Sequence, residues 1–250
     1  MRRLITVLVT VLLCVSTLTA QSPLDGIKRR IEAARGVNNG NRLSNEKITA
    51  GLKEALRVGT GNAVAATGRP DGFLKNAAIK ILLPEKLRTA GKTLRMVGMG
   101  SQVDALEVGM NRAAEQATPK AKQIFLNALT RMTFSDARQI FSGGDMAATD
   151  YFKRQSTADL TAAFAPIVHQ AMENVGVVRQ YNQLMKNPML TSVANDKNFN
   201  LDDYVLTKTT DGLFYMLGEE EKKIRKDPAA QTTAILREVF GQAAGAKSSK

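Results

Sequence analysis

The 250-residue chain has no tryptophan, one histidine, one cysteine and only 5% aromatic residues. The single cysteine, Cys14, lies in an apolar leader, so the chain beyond it has no thiol with which to form a disulfide. Exported domains often use disulfides to compensate for a small core; here packing alone must serve. The single histidine, His169, has no second His or Cys with which to build a zinc site. In "FAPIVHQAM" it reads as a packed or surface residue of a helix rather than as a general base. No GxSxG elbow accompanies it. The glycines of "GTGNAVAATG", from Gly59, lack both a preceding strand and the GxxxxGK order of a phosphate loop. So few aromatics leave little stacking surface for nucleic acid, and no binding motif appears. The sequence therefore predicts no metal, no cofactor and no catalytic residue, and nucleic acid is not an expected partner.

The leader is "MRRLITVLVTVLLCVSTLTA": two arginines, an apolar run from Leu4 to Leu13, then small and polar residues ending at Ala20. That order is the plan of a secretory signal peptide, with cleavage expected between Ala20 and Gln21. The strongly apolar run is shorter than the ~20 residues that span hydrocarbon. Leu13 precedes Cys14, where attachment of a lipid to the cysteine calls for a small residue. The expected address is the periplasm. The remaining roughly 230 residues are enough to bury about 70% of the unfolded surface in one domain. The 44% hydrophobic content is that of a globular chain. Net charge is +12, and loss of Arg2 and Arg3 with the leader lowers it by two to +10. Such a balance favours anionic partners.

Punctuation and periodicity point to an all-α fold. After a flexible basic lead over 21–42, the chain predicts one multi-helix domain over 43–241 and a disordered tail over 242–250. In "LSNEKITAGLKEAL", Ser44 stands as an N-cap and Leu43 and Ile48 as a hydrophobic staple. The helix is expected to end near Gly68, at the turn "GRPDG". Ser101 is expected to start another helix, and Thr118-Pro119 and Asp227-Pro228 read as cap-then-proline starts. Thr133 with Asp136 resembles a capping box. Gly143-Gly144 and Gly241 are expected stops. Val103, Leu106, Met110, Ala113 and Ala117 form an apolar stripe at helical spacing. Only "AAIKILL", residues 77–83, is a candidate short extended segment, and a buried helical turn fits it equally.

Three polar residues, Asn111, Arg112 and Glu115, oppose that stripe at 100° per residue. They read as a solvated face with an Arg112–Glu115 pair worth about 0.3 kcal/mol. Two alternatives are a buried polar network under another element and a ligand site. Val108, apolar among these polar positions, favours partial covering. In "GEEEKKIRKDP", Glu219–Lys223 and Glu221–Arg225 are spaced i,i+4 and predict a salt-bridged surface. The segment Asp71–Arg95 carries six cations against two carboxylates. On a helix Arg88, Lys92 and Arg95 share a face, and Lys86 points away. Those three cations are the candidates for weak contact with an anionic membrane surface.

The motifs "LSNEKITAGLKEAL", "DGFLKN", "LLPEKL", "MNRAAEQATPKAKQIF", "DARQIFSGGDMAATDYFKRQST", "LDDYV" and "TDGLFYMLGEEEKKIRKDPAAQTTAILREVFG" follow one another in order. From Leu43 to Gly241 the chain resembles a bacterial domain-of-unknown-function family, number 4197. The resemblance implies an exported, helical envelope protein and brings no activity, cofactor or catalytic residue with it. The expected function is a non-enzymatic binding or interaction module for an envelope protein partner or an apolar, anionic or lipid-like ligand. The alternative is an enzyme using carboxylate and arginine around Asn111, Arg112 and Glu115.

Overall fold

The structure, a computed structural model, describes residues 45–96, 98–174, 176–186, 199–235 and 237–238. The leader, the Ala20/Gln21 junction, the basic lead, Leu43, Ser44, Gly241 and the C-terminal tail lie outside the described residues. Within them every regular element is helical, as predicted. In chain order these are α1 (Asn45–Gly68), α2 (Glu85–Met96), α3 (Gly100–Ala117), α4 (Ala121–Arg131), α5 (Phe134–Ser142), α6 (Ala147–Asn174), α7 (Val177–Met185) and α8 (Leu201–Lys226).

The caps differ in how they work. At α5 the Thr133 hydroxyl accepts from the Asp136 N–H, and the Asp136 carboxylate accepts from the Thr133 N–H, a reciprocal capping box. The hydrogen bonds from Thr133 hold the Asp136 carboxyl below its usual range. At α8 the Asn200 side chain accepts from the Asp202 and Asp203 N–H groups. Ser101 does not cap α3: the helix begins one residue earlier, behind Met99, without a side-chain cap. Nor does Thr118 cap α4. It enters a 3-10 turn, Thr118–Lys120, and its hydroxyl turns back to the Glu115 carbonyl. Asp227 closes α8, while its carboxylate accepts from the Ala229 N–H of the short 3-10 turn Pro228–Ala230.

The apolar stripe of α3 is the centre of the packing. Val103, Leu106, Met110, Ala113 and Ala117 are all at most 1% exposed. α3 packs against α6, α7 and α2; α8 lies against α6 and α1. Three phenylalanines lock α4, α6 and α8 together: Phe125 meets Phe152 edge-on at 5.1 Å and Phe214 at 6.2 Å between centroids. Each such ring contributes about 1.5–3 kcal/mol by leaving water.

The charged run of α8 is not simply a wet surface. Lys222 pairs with Glu219 and Lys223 with Glu220, both at i,i+3, so the expected Glu219–Lys223 pairing is not formed. Arg225 does pair with Glu221, but Glu221 is buried. Its carboxylate accepts from the N–H groups of Ala148 and Thr149 and from the Thr149 hydroxyl, at 2.8–3.0 Å. Those amides belong to the first turn of α6, where helical N–H groups have no partner of their own. Arg225 also reaches the Ile140 carbonyl at the end of α5. Glu221 and Arg225 together fasten α8 to the α5–α6 junction.

Residues 69–84 form the longest non-helical stretch among the described residues. The chain turns sharply after Gly68, as predicted, with Asp71 at φ +65°. Asp is among the few residues that adopt that conformation readily. Gly72 has no alternative there: a Cβ would stand 2.7 Å from the Thr67 carbonyl oxygen and closer still to that of Ala66. Residues 77–79 form a further turn and 80–83 run on without helix. Ile79, Ile81 and Leu83 are buried while Leu82 is 45% exposed, the period-2 alternation of an extended chain.

Candidate functional site

Asn111 and Glu115 do not face solvent, and Arg112 is half-buried beside them. Asn111 is fully buried and Glu115 is 4% exposed. The covering element is the 69–83 segment, which lies along the face of α3 opposite its apolar stripe. Glu115 Oε1 accepts from the N–H groups of Phe73 and Leu74, both at 3.1 Å. Its second oxygen accepts from Arg112 at 2.6 Å, and Arg112 also donates to Asp71 at 2.6 Å. One turn earlier, Asn111 Oδ1 accepts from the Ile81 N–H at 2.9 Å, and its amide nitrogen donates to the Ile81 and Glu107 carbonyls. A second turn back, Glu107 lies 3.9 Å from Lys80. Glu107, Asn111 and Glu115 thus form a ladder at i, i+4 and i+8 that holds the segment at both ends.

The electrostatics follow this arrangement. Lys75 and then Arg112 hold the Asp71 carboxyl below its ordinary range. Glu115 and Asp71 raise Arg112 further above its ordinary value. The Asn111 amide and the Glu115 carboxylate are occupied by the chain's own backbone and Arg112. They therefore present no group aimed at a ligand. Asn111 and Glu115 form a buried clamp with the half-buried Arg112 at its edge, and the solvated-face expectation is corrected: the N–H groups of Phe73, Leu74 and Ile81 give the two buried side chains partners away from water.

The opposite side of the same segment meets α8. Tyr204 donates its hydroxyl to the Leu82 carbonyl at 2.9 Å, and burial pushes the Tyr204 phenol above its usual value. Asn76 donates to the sulfur of Met216 at 3.4 Å. Gly212 allows the close approach, since a Cβ there would lie 2.6 Å from the Phe73 ring and 3.2 Å from Ile79. Beyond this contact the two elements part around a cleft of about 580 Å³, lined by residues 78–83, by Glu85 and Arg88 of α2, and by α8. α8 contributes Tyr204, Lys208, Asp211 and Tyr215 at i, i+4, i+7 and i+11, one stripe of the helix. Tyr215 and Leu82 each leave nearly half their surface open. Lys208 Nζ lies 5.9 Å above the Tyr204 ring. Arg88 pairs with Glu85 at 2.6 Å, whereas Lys208 and Asp211 have no ion pair among the described residues.

A sequence profile for "Protein of unknown function (DUF4197)" matches residues 42–241, most of the chain. The chain belongs to this family. No curated protein and no solved structure matches it. The family match spans both the buried clamp and the cleft, so both lie within the DUF4197 domain.

The remaining candidates separate. Arg88, Lys92 and Arg95 are all exposed on α2, but Arg88 pairs with Glu85 and Arg95 with Asp104. Lys92 is the member of the trio without an ion pair among the described residues. The side chain of Lys86 lies outside the description. His169 is a surface residue as expected, 57% exposed at its side chain, and it joins α6 to α8: Nδ1 lies 2.6 Å from Asp202 and Nε2 3.5 Å from Glu173. The Asp202 hydrogen bond, with Glu173, raises its pKa above the usual 6.5. Sequence reasoning missed the cleft residues Leu82, Tyr204, Lys208 and Tyr215. The i, i+4, i+7, i+11 stripe in "DDYVLTKTTDGLFYM" was available as a signal for three of them.

Proposed function

We propose that this DUF4197 chain is a non-enzymatic binding module of the cell envelope, with the cleft between residues 78–83 and α8 as its ligand seat. One observation carries the reading: about 580 Å³ of open space, within the range of ligand pockets, lined by two half-exposed apolar side chains and by a lysine with no ion pair among the described residues. A cleft of mostly apolar walls with a few placed polar groups is the usual form of a ligand site. The enzyme alternative loses its support, because Asn111 and Glu115 have their polar atoms engaged by the protein itself. Export with cleavage after Ala20 belongs to the same proposal and rests on the leader alone. Among the described residues no helix is long and apolar enough to cross a membrane.

Direct attraction to an anionic surface through α2 is a minor part of this function. Glu85 and Asp104 offset Arg88 and Arg95, which leaves Lys92 as the net cation of that face.

The test is titration with 8-anilinonaphthalene-1-sulfonate, an apolar anion, followed by fluorescence and by amide chemical shifts. Shifts centred on Leu82, Tyr204, Lys208 and Tyr215, with binding weakened about tenfold (~1.4 kcal/mol) in Lys208→Glu, support the assignment. Shifts confined to other surfaces, or no binding, overturn it.

A further inference from the structure

The cleft has one wall made of backbone rather than side chains. Residues 80–83 are extended, with side chains alternating between core and surface. In such a chain the N–H and C=O of successive residues point to opposite edges. Asn111 occupies one edge: its amide oxygen takes the Ile81 N–H and its amide nitrogen meets the Ile81 C=O. The side chain stands where a neighbouring strand would stand. The Leu82 groups and the Lys80 C=O belong to the other edge, which faces α8, since Tyr204 donates to the Leu82 carbonyl, whereas the Lys80 N–H closes the preceding turn on the Asn76 carbonyl. On that edge the Leu82 N–H and the Lys80 C=O have no hydrogen-bond partner among the described residues.

An acceptor on one residue and a donor two residues on are the pair that one residue of an incoming strand satisfies with its own N–H and C=O. Unpaired edges of this kind are templates for added strands. A small anion has no donor with which to satisfy the Lys80 C=O, whereas a peptide N–H does.

We propose that the cleft takes an extended peptide segment of a partner protein, added as a strand along the Lys80–Leu82 edge, with an acidic side chain toward Lys208 and an apolar one between Leu82 and Tyr215. This rests on the cleft being the ligand seat and specifies what fills it. The backbone edge supplies affinity without regard to sequence, and the side-chain positions supply selectivity, as in other strand-addition interfaces. Charge supports the acidic preference. Arg88 pairs with Glu85 and Lys80 lies near Glu107, whereas Lys208 has no ion pair among the described residues, and the whole chain carries +12. Asp211, one turn beyond Lys208, repels a second acid and confines the acidic side chain to the Lys208 end.

The experiment is a selection of random hexapeptides by display against the full chain, followed by titration of the enriched peptides with three variants. Leu82→Ala removes the side chain and keeps the N–H. Leu82→Pro also removes the N–H, which has no bond to lose, and Pro fits an extended segment beside a sheet edge. Lys208→Glu inverts the charge. The expected result is enrichment of peptides with an acid beside apolar residues. Binding then falls at least about tenfold further in Leu82→Pro than in Leu82→Ala, with a loss in Lys208→Glu and slowed exchange of the Leu82 amide in the wild type. Methylating the backbone nitrogen of the central peptide residue must weaken binding as well, a test that remains valid if Leu82→Pro does not fold. Enriched peptides indifferent to N-methylation, or equal binding to the Pro and Ala variants, overturn the proposal. Absence of any enriched peptide also overturns it, as does binding of anionic vesicles through Lys208 in place of peptides. If the sulfonate dye still occupies the cleft in these cases, the binding-module reading stands and the peptide is refuted. If neither dye nor peptide touches the cleft, both fall.

Discussion

Removing the Asn111 side chain tests the central claim about α3, that its polar face is a clamp on the 69–83 segment. Asn111 makes three hydrogen bonds between 2.8 and 2.9 Å, to the Ile81 N–H, the Ile81 C=O and the Glu107 C=O. Ile81 is 2% exposed, so water cannot readily replace the lost partner. Each net hydrogen bond contributes about 0.5–1.5 kcal/mol, and a buried group left unpaired costs about 1–3 kcal/mol. Glu107 keeps its helical bond, so the loss concerns mainly the two Ile81 groups. Asn111→Ala should therefore cost about 2–4 kcal/mol. Urea unfolding followed by circular dichroism measures it as a lowered midpoint at unchanged slope. Amide exchange at Ile81 should accelerate in the same variant.

Asn111→Asp sharpens the test because it keeps the shape. The carboxylate still accepts from the Ile81 N–H, but its other oxygen then faces the Ile81 and Glu107 carbonyls. Burial and that repulsion favour the neutral acid, so its folded-state pKa rises above the unfolded value. Stability relative to the wild type should be lost as pH rises through that pKa and recovered below it. A cost under about 0.5 kcal/mol in Asn111→Ala, with Ile81 exchange unchanged, would show that the segment is held by other contacts and refute the clamp.

Glu221→Ala should lower stability by about 3–5 kcal/mol, because it strands the mostly buried Arg225 as well as two amides of α6; a surface-like loss under about 0.5 kcal/mol by the same unfolding assay would contradict its burial. Gly72→Ala should destabilise by about 1–3 kcal/mol through collision with rigid backbone. Gly61→Ala, in open space within α1, should instead stabilise by roughly 0.5–1 kcal/mol; thermal melts that rank the two the other way would refute the local geometry. His169→Gln should lower the melting temperature more at about pH 5.5 than at about pH 8.5: the raised His169 pKa means that its bridge to Asp202 and Glu173 is complete below 6.5 and lost as pH rises through the raised value. Vesicles of anionic lipid should retain the protein little at physiological salt, since one net cation on the α2 face supplies about 1 kcal/mol; tight sedimentation abolished by Lys92→Glu would assign that face a larger role.

Features made by neighbours in sequence were legible. The Thr133–Asp136 box lies within four residues, and the Val103–Ala117 stripe within one helix, so spacing alone determined them. Gly68 with Pro70 marked the turn for the same reason. The failures at Ser101 and Thr118 are also local, and show the limit of composition: a hydroxyl near a helix start competes with other bonds, and Thr118 bonds back to Glu115 instead. Val108 pointed correctly to a covered face but is itself 40% exposed; the cover lies over Asn111 and Glu115. That cover comes from 30 to 42 residues away and has no period to read.

The buried carboxylates show why spacing could not go further. Glu54–Arg57, Glu219–Lys222, Arg112–Glu115 and Glu221–Arg225 all place opposite charges one helical turn apart. The first two remain partly exposed, and the last two bury their carboxylates. Small differences in order and spacing do not foretell burial; what decides it is the element across from each. A neighbouring helix flank has its N–H groups already bonded and gives a carboxylate no reason to leave water. A turn or a helix N-terminus offers free N–H groups, which stabilise a buried carboxylate. Glu115 finds them at Phe73 and Leu74, Glu221 at Ala148 and Thr149. The same accounting of backbone groups reaches the cleft. Along 80–83 the inner edge is matched by Asn111, while the Leu82 N–H on the outer edge has no hydrogen-bond partner among the described residues, which is the opening the peptide proposal rests on.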